Sequence, residues 1–448
     1  MNRLECLMVD LPEDIKKTMY FGDFNESLKL IDIHLKRNIP QILKNRLIFE
    51  KDRIRRLKED YIYSYHEALE MAKKEIRDLT EEEFQHLKDE RYADWIYVDG
   101  KVTFHKRFLN NIIKVNTDMK DRFLHPRKDD SKLLDDVIRK TIERGEVKYL
   151  IHVKTGFKLR EEYIRPGEKV RVHLPIPQNA KQIKNIKILN TSHKTKYISR
   201  EDYPQRTIYF EEILNGDDEF TVEYSYENHI RYNDLSPDIV SIYQPSFYTE
   251  EYLPQIRFTP YLIELTDMIV GNETNSLIKA RKIYDYITKN VQYSFVRQYA
   301  AITNIPEYAA LNLKGDCGVQ ALLFITLCRI ANIPSKWQSG LFINPNFIGC
   351  HDWAQFYIEP YGWLFADLSF GGSALRKGSE KRWNFYFGNL DPFRMVANSE
   401  FHYGLYPERK FLRHDPYDNQ IGEMEYIDRP VYPHEYEVIQ EIIEVREI

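Results

Sequence analysis

One segment constrains this chain more than any other: Gly315-Asp-Cys-Gly-Val-Gln-Ala-Leu-Leu-Phe-Ile-Thr-Leu-Cys-Arg-Ile-Ala-Asn-Ile-Pro334. With Val319, Leu322, Leu323, Phe324, Leu327 and Ile330 this stretch is apolar almost all round as a helix. Such a helix has to be enclosed by other elements. Asp316 is a good N-cap, which puts Cys317 at the first helical position, and Asn332 with Pro334 ends the helix. The chain must therefore build a core around this segment. With 43% hydrophobic and 30% charged residues over 448 positions it has the means, and at roughly 150 residues per domain it has the length for about three domains.

The region 1–140 reads as helical and highly charged. Leu28, Ile31 and Leu35 have helical spacing, Pro40 stands where a new helix begins, and Thr80 with Glu83 forms a capping box. The run Lys51-Asp-Arg-Ile-Arg-Arg-Leu-Lys-Glu-Asp60 predicts a solvated helix face. Trp95–Phe104, with Asp99-Gly100 at its centre, predicts a hairpin with a type I′ turn. Near residue 145 the hydrophobic period changes to two. Val170, Val172, Leu174 and Ile176 alternate with more polar neighbours, as do Phe220, Val222, Tyr224 and Tyr226, and Asn215–Asp218 supplies a polar turn. This predicts a β-sandwich over 145–235. Helical pattern returns after Thr259-Pro260, with a core expected over 240–375 and a C-terminal extension, 376–448, packed on that core.

The chemistry concentrates at 315–371. A thiol at a helix start feels the positive end of the helix dipole, which favours thiolate. Cys328, eleven residues on and about 16 Å deeper at 1.5 Å per residue, should be an inert core cysteine. Lys336–Gly340 reads as a strand, His351–Ile358 as a second, and Trp363–Leu368 as a third after a turn at Pro360–Gly362. With a strict three-residue turn at 360–362, His351 and Asp367 would be staggered by four residues, so a bulge or a longer loop is expected. A thiol, an imidazole and a carboxylate so placed are the parts of a Cys-His-Asp triad. The histidine takes the thiol proton, and the carboxylate fixes its tautomer and stabilises its cation.

The local frames resemble the transglutaminase-like superfamily of papain-like cysteine enzymes. They are Gly315-Asp316-Cys317-Gly318, Asn332-Ile333-Pro334, Ser339-Gly340, His351-Asp352-Trp353, and Gly362-Trp363 followed by Asp367. The resemblance covers about 255–375, and Arg171–Pro177 also resembles the β-domain that often precedes this core in bacterial members. It implies an α+β fold: a papain-like transglutaminase core, its central buried helix packed on an antiparallel sheet, preceded by a β-sandwich and an N-terminal helical region. It further implies Cys317 as nucleophile, His351 as general base and acid, and Asp367 as orienting carboxylate. The oxyanion hole would use the Cys317 N–H and an upstream side chain, Tyr293 or Gln298, with Tyr293 preferred.

Several classes are disfavoured. A net charge of −5 excludes a globally basic nucleic-acid binder, and no apolar stretch of membrane-spanning length occurs. Asp10, Glu13 and Asp14 interrupt what would be a signal peptide, and four cysteines are too few for a disulfide scaffold. A cytoplasmic location is expected. No cofactor is expected. Cys350-His351 lacks the spacing of a zinc-ligand pair, and no calcium loop is present, so no metal is expected either. The substrate class is a peptide or protein, with hydrolysis favoured over amine transfer, and a catalytically silent binding scaffold as the third reading. Transfer would need an apolar shelter for the thioester. Trp337, Trp353, Phe347 and Tyr357 are its candidate walls, and Leu341–Gly349 a candidate mobile loop, whose Asn344 and Asn346 would leave it wet.

Overall fold

In a computed structural model, residues 4–116, 119, 121–125, 130–216 and 219–448 are described. Met1–Arg3 of the N-terminal reading and Asp217–Asp218 of the predicted turn lie outside them. The chain forms two compact units: Met1–Asp129 with Glu251–Thr259 and Lys289–Leu323, and Asp130–Glu250 with Pro260–Thr288 and Phe324–Ile448. The N-terminal division thus falls before the helix Ser131–Arg144 rather than at 140. No described helix is long and apolar enough to cross a membrane.

The first unit is mainly helical, with its longest helix at Gln41–Asp60. The predicted hairpin pairs Trp95–Val98 with Lys101–His105, and Asp99 and Gly100 both have positive φ, as a type I′ turn requires. Tyr61–Ser64 adds a third strand. The Thr80–Glu83 capping box is present, and Ser64 with Glu67 makes another. The charged run at 51–60 departs from expectation. Arg56 and Asp60 are each only 1% exposed and Arg53 8%, because besides Asp52, Lys106 and Glu50 nearby they have partners in a segment more than two hundred residues away rather than in water.

In the second unit, two four-stranded sheets make the β-domain. One orders Glu423–Tyr426, Lys169–Pro175, Thr207–Ile213 and Tyr197–Ile198; the other Tyr436–Glu447, Glu146–Leu159, Glu219–Arg231 and Ile183–Thr191. The C-terminal extension is therefore more than a cover on the core. It supplies one strand to each β-domain sheet, because Met424 and Tyr426 bury their side chains there and an isolated strand cannot satisfy its backbone.

The same unit holds a five-stranded antiparallel sheet, in the order Phe387–Gly388, Gly362–Ala366, Phe347–Ile358, Ser335–Asn344 and Arg394–Asn398, together with helices that include Pro260–Val270 and Leu368–Arg376. The long central hairpin closes tightly at Pro345-Asn346, so the expected mobile loop 341–349 is mostly strand. Asn344 is buried and donates through Nδ2 to Asp130 at 3.2 Å, while Asn346 stays exposed. Gly340 explains the Ser-Gly frame: a Cβ there would lie 2.0 Å from the Met395 carbonyl oxygen of the adjoining strand. The β-domain supports this sheet through buried amides. Asn228 Nδ2 donates to the carbonyls of Pro392 and Arg394, and Gln182 Nε2 donates to Gln338 Oε1, which also accepts from Trp353 Nε1.

Candidate active site

In the first unit, Gln292–Tyr293 pairs in parallel with Lys314–Gly315, and Tyr293 stands opposite Gly315. Gly315 is required because a Cβ would strike Val319 at 2.3 Å. Asp316 Oδ1 accepts from the Val319 N–H at 3.2 Å, capping the helix Cys317–Ile330, and from the Tyr299 hydroxyl at 2.5 Å. Burial raises the Asp316 carboxyl to about 6 against these bonds. Cys317 is partly exposed, in contrast to Cys328, whose thiol is buried and pushed up by that burial. Of the two upstream oxyanion candidates, Gln298 has both ends of its amide engaged, Oε1 by Arg56 and Nε2 by Asp60. Tyr293 packs edge-on against Phe295 and carries the Lys114 ammonium over its ring.

In the second unit the register decides how His351 meets Asp367. Ile358 pairs with Gly362 and Ala354 with Ala366, so the three-residue turn is Glu359–Tyr361, one residue earlier than the sequence suggests. Asp367 then comes level with Trp353, one same-face step from His351. No bulge is needed between these strands.

His351 Nε2 donates to Asp367 Oδ2 at 2.7 Å, and both side chains are buried. Asp367 also caps the helix Leu368–Arg376: its Oδ1 accepts from the Phe370 N–H at 2.9 Å and the Ser369 hydroxyl at 3.2 Å. Burial alone would raise its carboxyl, but the charges of His351 and Arg394 and these hydrogen bonds hold it at about 2. Burial lowers His351 below the usual imidazole value, opposed by Asp367. The resting pair is therefore carboxylate and neutral imidazole. Because Nε2 carries the proton given to Asp367, Nδ1 is the nitrogen left to accept one.

Sequence reasoning missed Arg394. Wholly buried, it sets Nη1 2.9 Å from Asp367 Oδ2 and Nη2 2.5 Å from Asp391 Oδ2, with its guanidinium 4.4 Å from the Phe370 ring centre. Asp391 in turn accepts from the Tyr386 hydroxyl and the Phe393 N–H. The signal was a lone charged residue opening an otherwise uncharged strand, Arg394-Met-Val-Ala-Asn398. Gln420 was missed as well: its Nε2 donates to the His351 carbonyl at 3.1 Å and to Asp352 Oδ1 at 2.6 Å.

The thiols provide a direct test. Cys350 is exposed, whereas Cys6 and Cys328 are buried. Below pH 7 an accessible but ordinary thiol alkylates slowly. Cys317 should react with iodoacetamide faster than the more exposed Cys350, and far faster than Cys328, in a peptide-mapped time course. Cys317 lagging behind Cys350 would mean it is not activated.

Residues 263–368 match the transglutaminase-like superfamily. An uncharacterized protein of Haemophilus influenzae is 26% identical over 199 residues, covering 37% of this chain and 54% of that protein, so the chain spans about half the length of the curated relative it matches. Among solved structures, a candidate cysteine protease from Cytophaga hutchinsonii shares 15% identity at a TM-score of 0.38, over 67% of this chain and 91% of that one. The periplasmic domain of TgpA from Pseudomonas aeruginosa shares 10% identity at a TM-score of 0.29, over 56% and 95%.

Proposed function

We propose, for a chain whose residues 263–368 belong to the transglutaminase-like superfamily, that it is a cysteine enzyme cleaving amide or peptide bonds through a thioester, with water as its acceptor. The observation that carries this reading is the buried His351–Asp367 pair, held in one tautomer with Nδ1 left to handle a proton. Within the same matched segment Cys317 opens an apolar helix.

In this reading His351 takes the Cys317 thiol proton and the thiolate sulfur attacks the amide carbonyl carbon. The carbonyl π pair moves to oxygen, where the Cys317 N–H and the Tyr293 hydroxyl are the candidate donors. Collapse re-forms the carbonyl and breaks the C–N bond, and the amine leaves with the proton from His351. Water then gives His351 a proton as it attacks the thioester, and the thiolate departs and regains that proton. Asp367 remains ionised throughout and offsets the imidazolium charge. None of the four cysteines is in a disulfide, which suits a reducing compartment such as the cytoplasm.

Water is favoured over an amine because the stretch expected as a lid is a strand hairpin and Phe347, one candidate wall, is half exposed. The test supplies a peptide that turns over, in a large excess of primary amine. Mostly hydrolysed product is expected. Predominant amine adduct at modest amine concentration assigns transglutamination instead. No turnover across a broad peptide and glutamine panel, indistinguishable from Cys317→Ala, leaves the binding scaffold.

A further inference from the structure

The C-terminal half of the charged helix Gln41–Asp60 turns three buried polar side chains, Arg53, Arg56 and Asp60, to the segment that leads to Cys317. Arg53 Nη2 donates to the Ala301 carbonyl at 2.9 Å and the Thr303 hydroxyl at 3.1 Å. Arg56 Nη1 donates to Gln298 Oε1 at 2.8 Å, and Asp60 Oδ2 accepts from the Gln298 N–H at 2.7 Å. A second helix, Phe108–Val115, does the same three residues earlier. There the buried Asn111 pairs with the Phe295 backbone in both directions, accepting from its N–H at 2.8 Å and donating to its carbonyl at 3.0 Å. Arg107 lies 4.5 Å from the Phe295 ring centre. On the far side of the segment Arg91 donates to Asn312 Oδ1 at 3.1 Å.

These contacts are costly to arrange. Arg56, Asp60 and Asn111 are each 1% exposed, and desolvating charges and amides is unfavourable unless the partners are held in good geometry. Packing helices together needs only apolar residues, which this unit has in Ile54, Leu57 and Tyr61 packed with Ala301. The polar set adds a fixed path for the backbone from 295 to 303. That backbone runs on from Tyr293, which pairs with Gly315, and the same segment supplies Tyr299 to the cap residue Asp316.

We infer that Asn111, Arg56 and Asp60 are positioning residues for Cys317, so that the N-terminal helical region is a working part of the nucleophile's support rather than a separate binding module. This rests on Cys317 being the nucleophile, as proposed above.

The test compares Asn111→Ala and Asp60→Asn with wild type and with Lys51→Ala, whose ammonium pairs on the exposed face of the same helix with Asp32. Three readouts are taken: thermal melting, the pH profile of Cys317 alkylation, and kcat against KM on a peptide the wild type cleaves. The two brace variants should stay folded, lose about tenfold or more in kcat with KM little changed, and shift the Cys317 profile while Cys350 alkylates as before. Lys51→Ala should match wild type. Folded brace variants with wild-type kcat and an unmoved Cys317 profile would overturn the inference. Should both variants melt below the assay temperature, Arg56→Lys is read by the same criteria. A wild type in which Cys317 is not activated refutes the nucleophile assignment itself, whereas an activated wild type with indifferent brace variants refutes only the brace.

Discussion

Asp367→Asn should lower kcat on the order of 10³–10⁴-fold, with little change in KM. The carboxylate accepts from His351 Nε2 at 2.7 Å, so it dictates which ring nitrogen carries the proton. An amide nitrogen at that oxygen's place would donate to Nε2 and drive the proton to Nδ1, the nitrogen the mechanism needs as a base. The charge that offsets the imidazolium disappears as well. Helix capping should survive, since the amide oxygen still accepts from the Phe370 N–H. The charge opposite Arg394 is lost as well, so the melting temperature should fall and the kinetics are taken well below it. A loss smaller than tenfold would mean that Asp367 neither sets the tautomer nor stabilises the cation.

The second large effect is on stability. Arg394→Met should destabilise the fold by about 3–5 kcal/mol, the usual consequence of removing one member of a buried ionic cluster. Asp367 and Asp391 would remain buried without the guanidinium between them. Urea unfolding measures the loss, and adding Asp391→Asn to the Arg394→Met variant should recover part of it. The pH dependence follows from the sign of the shift. Asp367 sits at about 2 in the fold against an ordinary 3.8. Its stabilisation is thus complete above about pH 4 and lost as pH falls toward 2. Without Arg394 its carboxyl rises, so acid unfolding should begin at a higher pH. An unchanged acid limb together with a change below 1 kcal/mol would show that Arg394 contributes only packing.

What could be read from sequence was local. The N-cap Asp316, the all-round apolar helix, the Asp99-Gly100 turn and the Thr80–Glu83 box each lie within a few residues of their partners. Likewise His351, its Trp353 neighbour and Asp367 belong to one hairpin and its edge. Its turn was misplaced by a single residue because Pro360 and Gly362 both favour turns, and the true turn is Glu359–Tyr361. What stayed hidden depends on distant partners. The charges of 51–60 look like a solvated surface when only their own helix is considered, but Arg56 is answered by Gln298, 242 positions later. Arg394 meets Asp367 across two separate strands. The C-terminal extension, 376–448, reads as packing on the core alone until its pairing with Glu146–Leu159 is known.

That last pairing also bears on how the molecule is made. Glu146–Leu159 is translated first, and its flanking partner Tyr436–Glu447 emerges nearly three hundred residues afterwards; Lys140 and Glu447, which form an ion pair beside it, are 307 positions apart. At ribosomal rates of about 5–20 residues per second the wait is roughly 15–60 s. Throughout that interval one side of a 14-residue strand has no neighbour, and open strand edges recruit other chains. The β-domain thus closes only after the core strands are translated, and nascent chains stalled before residue 436 should need chaperone cover more than those that have passed it.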